Sequence, residues 1–180
     1  MCGIFGVVNF NKKPVDKHLL KESTNLLRHR GPDGEGFYFD DENGIGFGHR
    51  RLSIIDLQTG DQPMSNEDGT IWIVFNGEIY NFQELRTYLI QKGHIFKTKS
   101  DTEVIIHAYE EFGEECPKKF NGIFAFAIWD AKKQKLFLAR DHFGVKPLYY
   151  YKDKEQFLFA SEYKAIINYI KKNSSINEKA

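Results

Sequence analysis

The sequence predicts an α+β fold, a four-layer α-β-β-α sandwich of two antiparallel sheets held between helices. Two segments carry that expectation: Ile71-Trp72-Ile73-Val74-Phe75 and Ile123-Phe124-Ala125-Phe126-Ala127-Ile128-Trp129 are apolar on both faces. A half-exposed strand alternates apolar and polar residues, so both faces of these two must be covered. Helices outside and a second sheet inside would cover them. A single sheet with helices on both faces is the rival. The many short strand-like runs, with few helices between them, favour antiparallel pairing over repeated βαβ units.

In chain order, residues 3–10 (GIFGVVNF) read as a first strand. Residues 15–30 read as an amphipathic helix with Leu19, Leu20, Leu26 and Leu27 on one side. Short strands follow at 36–39, 46–49, 52–55 and 71–76, separated by Gly-rich or Asp-rich turns. Asn81 with Glu84 has the spacing of a capping pair, opening a helix that turns Phe82, Leu85 and Leu89 inward. Ser100 with Glu103 repeats that spacing before Val104, Ile105, Ala108, Tyr109 and Phe112. Strands are expected at 123–129, 136–140 and 157–160, and a last helix at 163–171. Residues 168–180 form a polar tail or linker behind a domain of residues 1–167.

Composition narrows the function classes. The 180 residues include 41% hydrophobic side chains, with 16 Phe and 9 Tyr, enough for one domain with its own core. The 25 basic and 25 acidic residues cancel, which argues against a nucleic-acid or membrane-surface binder that works by bulk charge. No apolar run approaches the roughly 18 residues of a membrane span, and no basic-then-apolar leader opens the chain. The only cysteines are Cys2 and Cys116, so a disulfide framework is not expected and a reducing, cytoplasmic setting fits.

Cys2 lies directly behind Met1. Initiator methionine is commonly trimmed before a small side chain, and trimming would put a thiol and a free α-amine on one residue. That pairs a nucleophile with its own proton acceptor and needs no His partner. The ordinary values, about 8.5 for the thiol and about 7.7–8.0 for the amine, both lie near working pH. A cysteine at this place can also be a small hydrophobe. The remaining motifs decide between the two.

Those motifs are MCGIFGVV at 1–8, RHRGPDGEG at 28–36, RRLSIID at 50–56, FNGEIYN at 75–81, SDTEVI at 100–105, FNGIFAFAIWD at 120–130, RDHFGVKPLYY at 140–150 and ASEYKAI at 160–166. Singly each is weak; in this number and order they are specific. The chain resembles the class II glutamine amidotransferase domain, in the form found in glutamine-dependent asparagine synthetases. The resemblance implies an N-terminal-nucleophile hydrolase fold, which agrees with the layers argued above. It also implies a glutaminase that hydrolyses L-glutamine through a Cys2 thioester.

By that resemblance, Asn76 (side chain) and Gly77 (backbone N–H) are catalytic with Cys2, as donors to the developing oxyanion. Asn-Gly is also a common turn pair, and a tight turn presenting both donors would serve both readings. Arg51 is the expected clamp on the substrate α-carboxylate, since a guanidinium fork matches a carboxylate at two points. Arg50 beside it competes, but adjacent strand residues face opposite ways and the R-L-S-I alignment selects Arg51. Leu52, Ser53, Ile54 and Ile55 would line the same pocket, and Glu78 and Asp101 would accept the α-ammonium. Asp101 has a simpler alternative as an acid stabilised in a helix first turn.

Other residues receive plainer readings. Cys116 reads as a structural or idle thiol, and Asp33-Gly34 as a turn. Arg140, Asp141 and Lys146 read as an ion network bracing the late strands or as a face toward a partner domain. His29 and His49 lack partners at zinc-like spacing, so no metal site is expected. No cofactor is expected in this domain. ATP and Mg would belong to a synthetase domain or subunit, whose Ser/Gly-rich phosphate loop does not occur in these residues. The expected partners are L-glutamine and that synthetase, with no nucleic acid and no membrane; a homodimer stays open.

Overall fold

The computed structural model describes residues 1–53 and 60–170. The chain runs β1 (Gly3–Asn9), α1 (Lys17–Asn25), β2 (Gly34–Asp40), β3 (Ile45–Arg51), β4 (Met64–Ser65), β5 (Ile71–Ile79), α2 (Phe82–Gln91) and α3 (Asp101–Phe112). A 3-10 helix (Gly113–Lys119), β6 (Gly122–Asp130), β7 (Lys135–Arg140), β8 (Tyr149–Lys152), β9 (Gln156–Ala160) and α4 (Tyr163–Ile170) follow. One sheet has the order β2-β3-β1-β9-β8 and the other β4-β5-β6-β7, and the pairings are antiparallel. The expected α-β-β-α sandwich is what forms.

Three apolar clusters fill the three gaps between layers. Phe5, Val7, Leu20, Leu158 and Ile166 pack the first sheet against α1 and α4. Ile73, Phe75, Val104, Ile105, Phe124 and Phe126 pack the second sheet against α2 and α3. Ile4, Ile45, Phe47, Val74, Ala127, Trp129 and Phe159 fill the space between the sheets. The doubly apolar runs in β5 and β6 thus have the cause inferred for them: one side meets helices, the other meets the opposite sheet. On β3 the layer is thin where α1 crosses. A Cβ at Gly48 would come within 2.1 Å of Thr24 Oγ1, so only glycine lets helix and strand approach this closely.

Several expected elements are corrected. The first helix is shorter than residues 15–30. Asp16 caps it by accepting from Leu19 N–H, and beyond Asn25 the backbone tightens into i→i+3 turns at Leu27, Arg28 and Arg30. The Gly31-Pro32 step that follows disfavours helix in any case. Asn81 makes no side-chain cap; its amide bridges Lys119 O and Asn121 N–H instead, at 3.0 and 2.9 Å. Ser100 does cap, accepting from Thr102 N–H, while Glu103 takes Lys97 and Thr98 N–H rather than closing a reciprocal box. Leu52 and Ser53 lie beyond the end of β3 and are not in the strand expected at 52–55; Ile54 and Ile55 fall outside the described residues, as do 171–180 of the tail. The short strands β4 and β8 and the 3-10 helix around Cys116 carry no strong sequence period and were not expected.

Candidate active site

The period of two along each strand decides what meets at one end of the sandwich. On β3, Ile45 and Phe47 face the opposite sheet, and so therefore do His49 and Arg51. Arg50 faces the other way, bonding Gly31 O at 3.2 Å and pairing with Glu35 across the β2–β3 ladder. Cys2 continues the face of Ile4, and on β5 Asn76 and Glu78 continue the face of Trp72 and Val74. Cys2, Arg51, Asn76 and Glu78 thus converge where the inter-sheet layer turns from apolar to polar.

A cleft opens there. Cys2, Leu52, Asn76, Gly77, Glu78, Thr102 and Lys146 are among its lining residues, with Met1 at its mouth. Cys2 is half-buried. Its Sγ is 3.4 Å from Leu52 N and 3.7 Å from Leu52 O, so a thiolate can accept from the amide and a thiol can donate to the carbonyl. Burial pushes the thiol pKa up, against the opposing pull of the Leu52 amide and Arg51. The protonated thiol is therefore the resting form near neutrality, and attack needs a proton acceptor. The main-chain carbonyl of Cys2 is held by Arg30 Nε at 3.0 Å, and Arg30 is braced by Glu162 at 3.1 Å.

Asn76 is 1% exposed, yet its Nδ2 has no hydrogen-bond partner among the described residues. An unpaired buried donor costs about 1–3 kcal/mol, so its place beside Cys2 calls for a ligand that takes it up. The expected Asn76-Gly77 turn is not found: both residues lie inside β5, paired with Ala125 and Phe124 of β6. The strand itself presents the second donor. Phe124 bonds Asp141 on its far side through both N–H and C=O, so the Gly77–Phe124 pair exchanges no ladder bonds. Phe75 N–H and Ile79 N–H, two residues either side of Gly77, point away from β6, to Gln62 Oε1 at 2.6 Å and Asp101 Oδ2 at 3.0 Å. Gly77 N–H points to the same edge, into the cleft. A Cβ at Gly77 would sit 2.2 Å from Ile123 O, which explains the glycine.

Arg51 and Asp101 stand behind the cleft wall. Arg51 is 8% exposed and its Nη1 meets Asp61 Oδ1 at 2.8 Å, while the Asp61 side chain is largely in solvent. Asp101, at the start of α3, is 4% exposed, and burial lifts its pKa to about 6, aided by the nearby negative charge of Glu78. The first-turn N–H groups of Asp101 and Thr102 pull that value down, as a helix start does, but burial outweighs them. Ser53 N–H donates to Asp33 Oδ2 at 2.8 Å, and Asp33 N–H to Arg51 O at 3.0 Å. The RGPDG turn is thus the strut under the Leu52–Ser53 segment, a role its sequence did not disclose.

Other supporting residues were not foreseen. Gln62, 8% exposed, ties β5 to α3 by accepting from Phe75 N–H and donating to Thr102 Oγ1 at 3.2 Å. His49 bridges the sheets through Nε2 to Phe75 O at 3.2 Å, and burial holds it neutral with a pKa near about 3. Asp141 gathers the N–H groups of Phe124, Phe143, Val145 and Lys146, and Arg140 bonds the carbonyls of Gly144 and Lys146. That group organises a loop through backbone contacts, in place of the ion network expected, and sets Lys146 at the cleft. Cys116 is fully buried with its thiol pushed up to about 12 by burial, an inert packing residue.

Comparison with known proteins places this geometry. Residues 1–180 match the glutamine amidotransferase domain family. Asparagine synthetase [glutamine-hydrolyzing] 1 of Bacillus subtilis is 51% identical over 172 residues, covering 93% of this chain and 27% of that protein. Asparagine synthetase B [glutamine-hydrolyzing] of Escherichia coli is 43% identical over 169 residues, covering 93% of this chain and 30% of that one. The chain therefore spans under a third of these relatives. Among solved structures, the glutamine phosphoribosylpyrophosphate amidotransferase of B. subtilis superimposes with a TM-score of 0.75 at 22% identity, over 93% of this chain and 43% of that one, a likeness of fold. By its sequence along its whole length, and by a fold that agrees, the chain belongs to the glutamine amidotransferase domain family.

Proposed function

We propose that this chain hydrolyses L-glutamine to L-glutamate and ammonia, and that the ammonia serves an ATP-dependent synthetase domain making asparagine from aspartate. The observation that carries the first half is the buried, unpartnered Asn76 Nδ2 beside the half-buried Cys2 thiol. With Met1 removed, the Cys2 α-amine takes the thiol proton as Sγ attacks the glutamine side-chain carbonyl carbon. The carbonyl oxygen becomes an oxyanion, received by Asn76 Nδ2 and Gly77 N–H. The amine returns the proton to the departing nitrogen, the C–N bond breaks, and ammonia leaves a γ-glutamyl thioester. Water then adds to the thioester, giving a proton to the amine and releasing glutamate and the thiol.

Arg51 would take the substrate α-carboxylate, exchanging it for the solvent-exposed carboxylate of Asp61 now on its Nη1. Glu78 and Asp101 would face the α-ammonium. The backbone at Leu52 and Ser53, steadied by Asp33, would line the same end. This chemistry uses no cofactor in the domain; ATP and Mg would act in the synthetase part. Among the described residues no helix is long and apolar enough to cross a membrane, and a reducing cytoplasm would keep the Cys2 thiol competent.

The test is to incubate the chain with glutamine, quench in acid and weigh it intact. Loss of Met1 and gain of one glutamyl group, absent in Cys2→Ala, is the expected result. Glutamate release that persists undiminished in Cys2→Ala would overturn the assignment.

A further inference from the structure

Away from the cleft, two histidines converge on one carboxylate oxygen. His107 Nδ1 lies 2.8 Å and His94 Nδ1 3.3 Å from Glu110 Oε2. One ligand atom from each of the three residues falls within 4.8 Å of the others. Bonds of about 2.0–2.1 Å at tetrahedral angles put neighbouring zinc ligands roughly 3.3 Å apart, so the two measured separations are near a tetrahedron edge.

The groups behind these three are arranged as an outer shell. Asn66, 9% exposed, donates from Nδ2 to Glu110 Oε1 at 2.8 Å, while its Oδ1 is held by Thr70 and Ile71 N–H. That leaves Oε2 turned to the imidazoles. The far nitrogen of each ring faces another carboxylate: His94 Nε2 is 3.5 Å from Glu111 Oε2, and His107 Nε2 is 3.9 Å from both Glu67 Oε1 and Glu103 Oε1. His107 is 1% exposed, and its Nε2 has no hydrogen-bond partner among the described residues.

The tautomer accounts for that orphan. When Nδ1 carries the proton and donates to Glu110, Nε2 is a bare lone pair confronting two carboxylates. A cation on Nδ1 moves the proton to Nε2, which then faces negative charge 3.9 Å away in place of a lone pair confronting it. Metal-bound histidines commonly give their second N–H to such a carboxylate. Access exists as well, since the His94 and Glu110 side chains are 17% and 22% exposed.

We propose that His94, His107 and Glu110 form a binding site for a divalent cation of the zinc type, with a fourth position open to water. His107 and Glu110 lie three apart on α3, and His94 is tied to the end of α2 through its N–H to Leu89 O at 3.1 Å. The cation would clasp α2 to α3 and fix the connection that leads into Ser100 and Thr102 at the cleft. Nothing in the sequence spacing announces it, because His94 precedes α3 and reaches Glu110 only through the fold.

The site is tested by titrating Zn2+ into the full chain in the Cys2→Ala background, which removes the cleft thiol as a ligand. Calorimetry and native mass spectrometry read stoichiometry, and thermal melts read linkage. The expected result is one Zn2+ per chain and a melting temperature raised by Zn2+. In His94→Gln, a loop substitution that leaves the buried His107 in place, affinity should fall at least tenfold and the thermal shift should vanish. Circular dichroism verifies that this variant is folded; if it is not, Glu111→Gln, which meets His94 at its outer nitrogen and not at Nδ1, should weaken binding instead. Absence of Zn2+ uptake, or uptake unchanged in these variants, would overturn the site. Because every arm lacks Cys2, neither outcome depends on the glutaminase reading.

Discussion

Asp101→Asn should make the protein more stable and less active, and the gain in stability should depend on pH. Burial raises the Asp101 pKa from 3.8 to about 6. The folded state therefore binds a proton more tightly than the unfolded chain does. Stability is unaffected well below 3.8, falls as pH rises through the interval between the two values, and is fully reduced above about 6. At about 1.4 kcal/mol per unit, the full cost of ionised Asp101 is about 3 kcal/mol, of which about 2 kcal/mol develops between roughly pH 4.5 and 8. Asparagine keeps an oxygen for Ile79 N–H, so the substitution removes the charge without orphaning that donor. Urea unfolding of both proteins at the two pH values gives the comparison, with the Asn variant gaining relative stability at pH 8. Glutamine hydrolysis should drop roughly 10–100-fold in kcat/KM, the worth of a charged hydrogen bond to the α-ammonium. A stability difference that is the same at both pH values would refute the reasoning, because Asp101 would then not titrate between the folded and unfolded values inferred.

Asn76→Ala should lower kcat for glutamine by about 10²–10³ with KM little changed, since the lost donor acts on the oxyanion; steady-state glutamate release measures this. Gly77→Ala should destabilise by about 1–3 kcal/mol in denaturant melts, because the new Cβ meets the main chain of Ile123 and Phe124. It should also abolish activity, by moving the β5 edge that carries the second donor.

What could be read before the fold was known depended on whether a residue acts through local pattern or tertiary contact. The apolar runs of β5 and β6 disclosed both covering layers, because burial on two faces erases the alternation that a sheet surface imposes. Cys2 drew notice by its position, but its reading came from the other motifs; alternation let only one of Arg50 and Arg51 face inward, and the R-L-S-I alignment chose Arg51. Asn76-Gly77 misled as a turn pair. Its glycine answers instead to close contact with β6, a cause that a dipeptide cannot reveal. Asp33, Gln62 and His49 were missed as supports because each acts on a backbone group 20 residues, 13 residues and 26 residues away respectively. The capping pair at Asn81 failed for the same reason: its amide found better partners at Lys119 and Asn121 than its own helix offered.

The site exists because the inter-sheet layer stops being apolar at one end. Val74, Phe47 and Ile4 seal the middle of the sandwich. One strand step further, the same faces carry Asn76, His49 with Arg51, and Cys2. Continuing the apolar series would close the gap and leave a more stable protein without a cleft. The residues found there instead carry identifiable costs: a donor without a partner at Asn76, a carboxyl titrating near about 6 at Asp101, and a histidine held neutral near about 3. Each cost is relieved by something that the fold alone does not supply or by a neighbour fixed to supply it. A glutamine carbonyl would use the Asn76 donor, its α-ammonium would favour ionised Asp101, and Phe75 O accepts from His49. An acid held by the fold shows the opposite sign, titrating low with its hydrogen bonds satisfied, as Asp141 does under the backbone N–H groups of its loop. Asp101 and Asp141 are both buried and both accept from backbone N–H groups, yet burial lifts the first while a ring of backbone donors lowers the second.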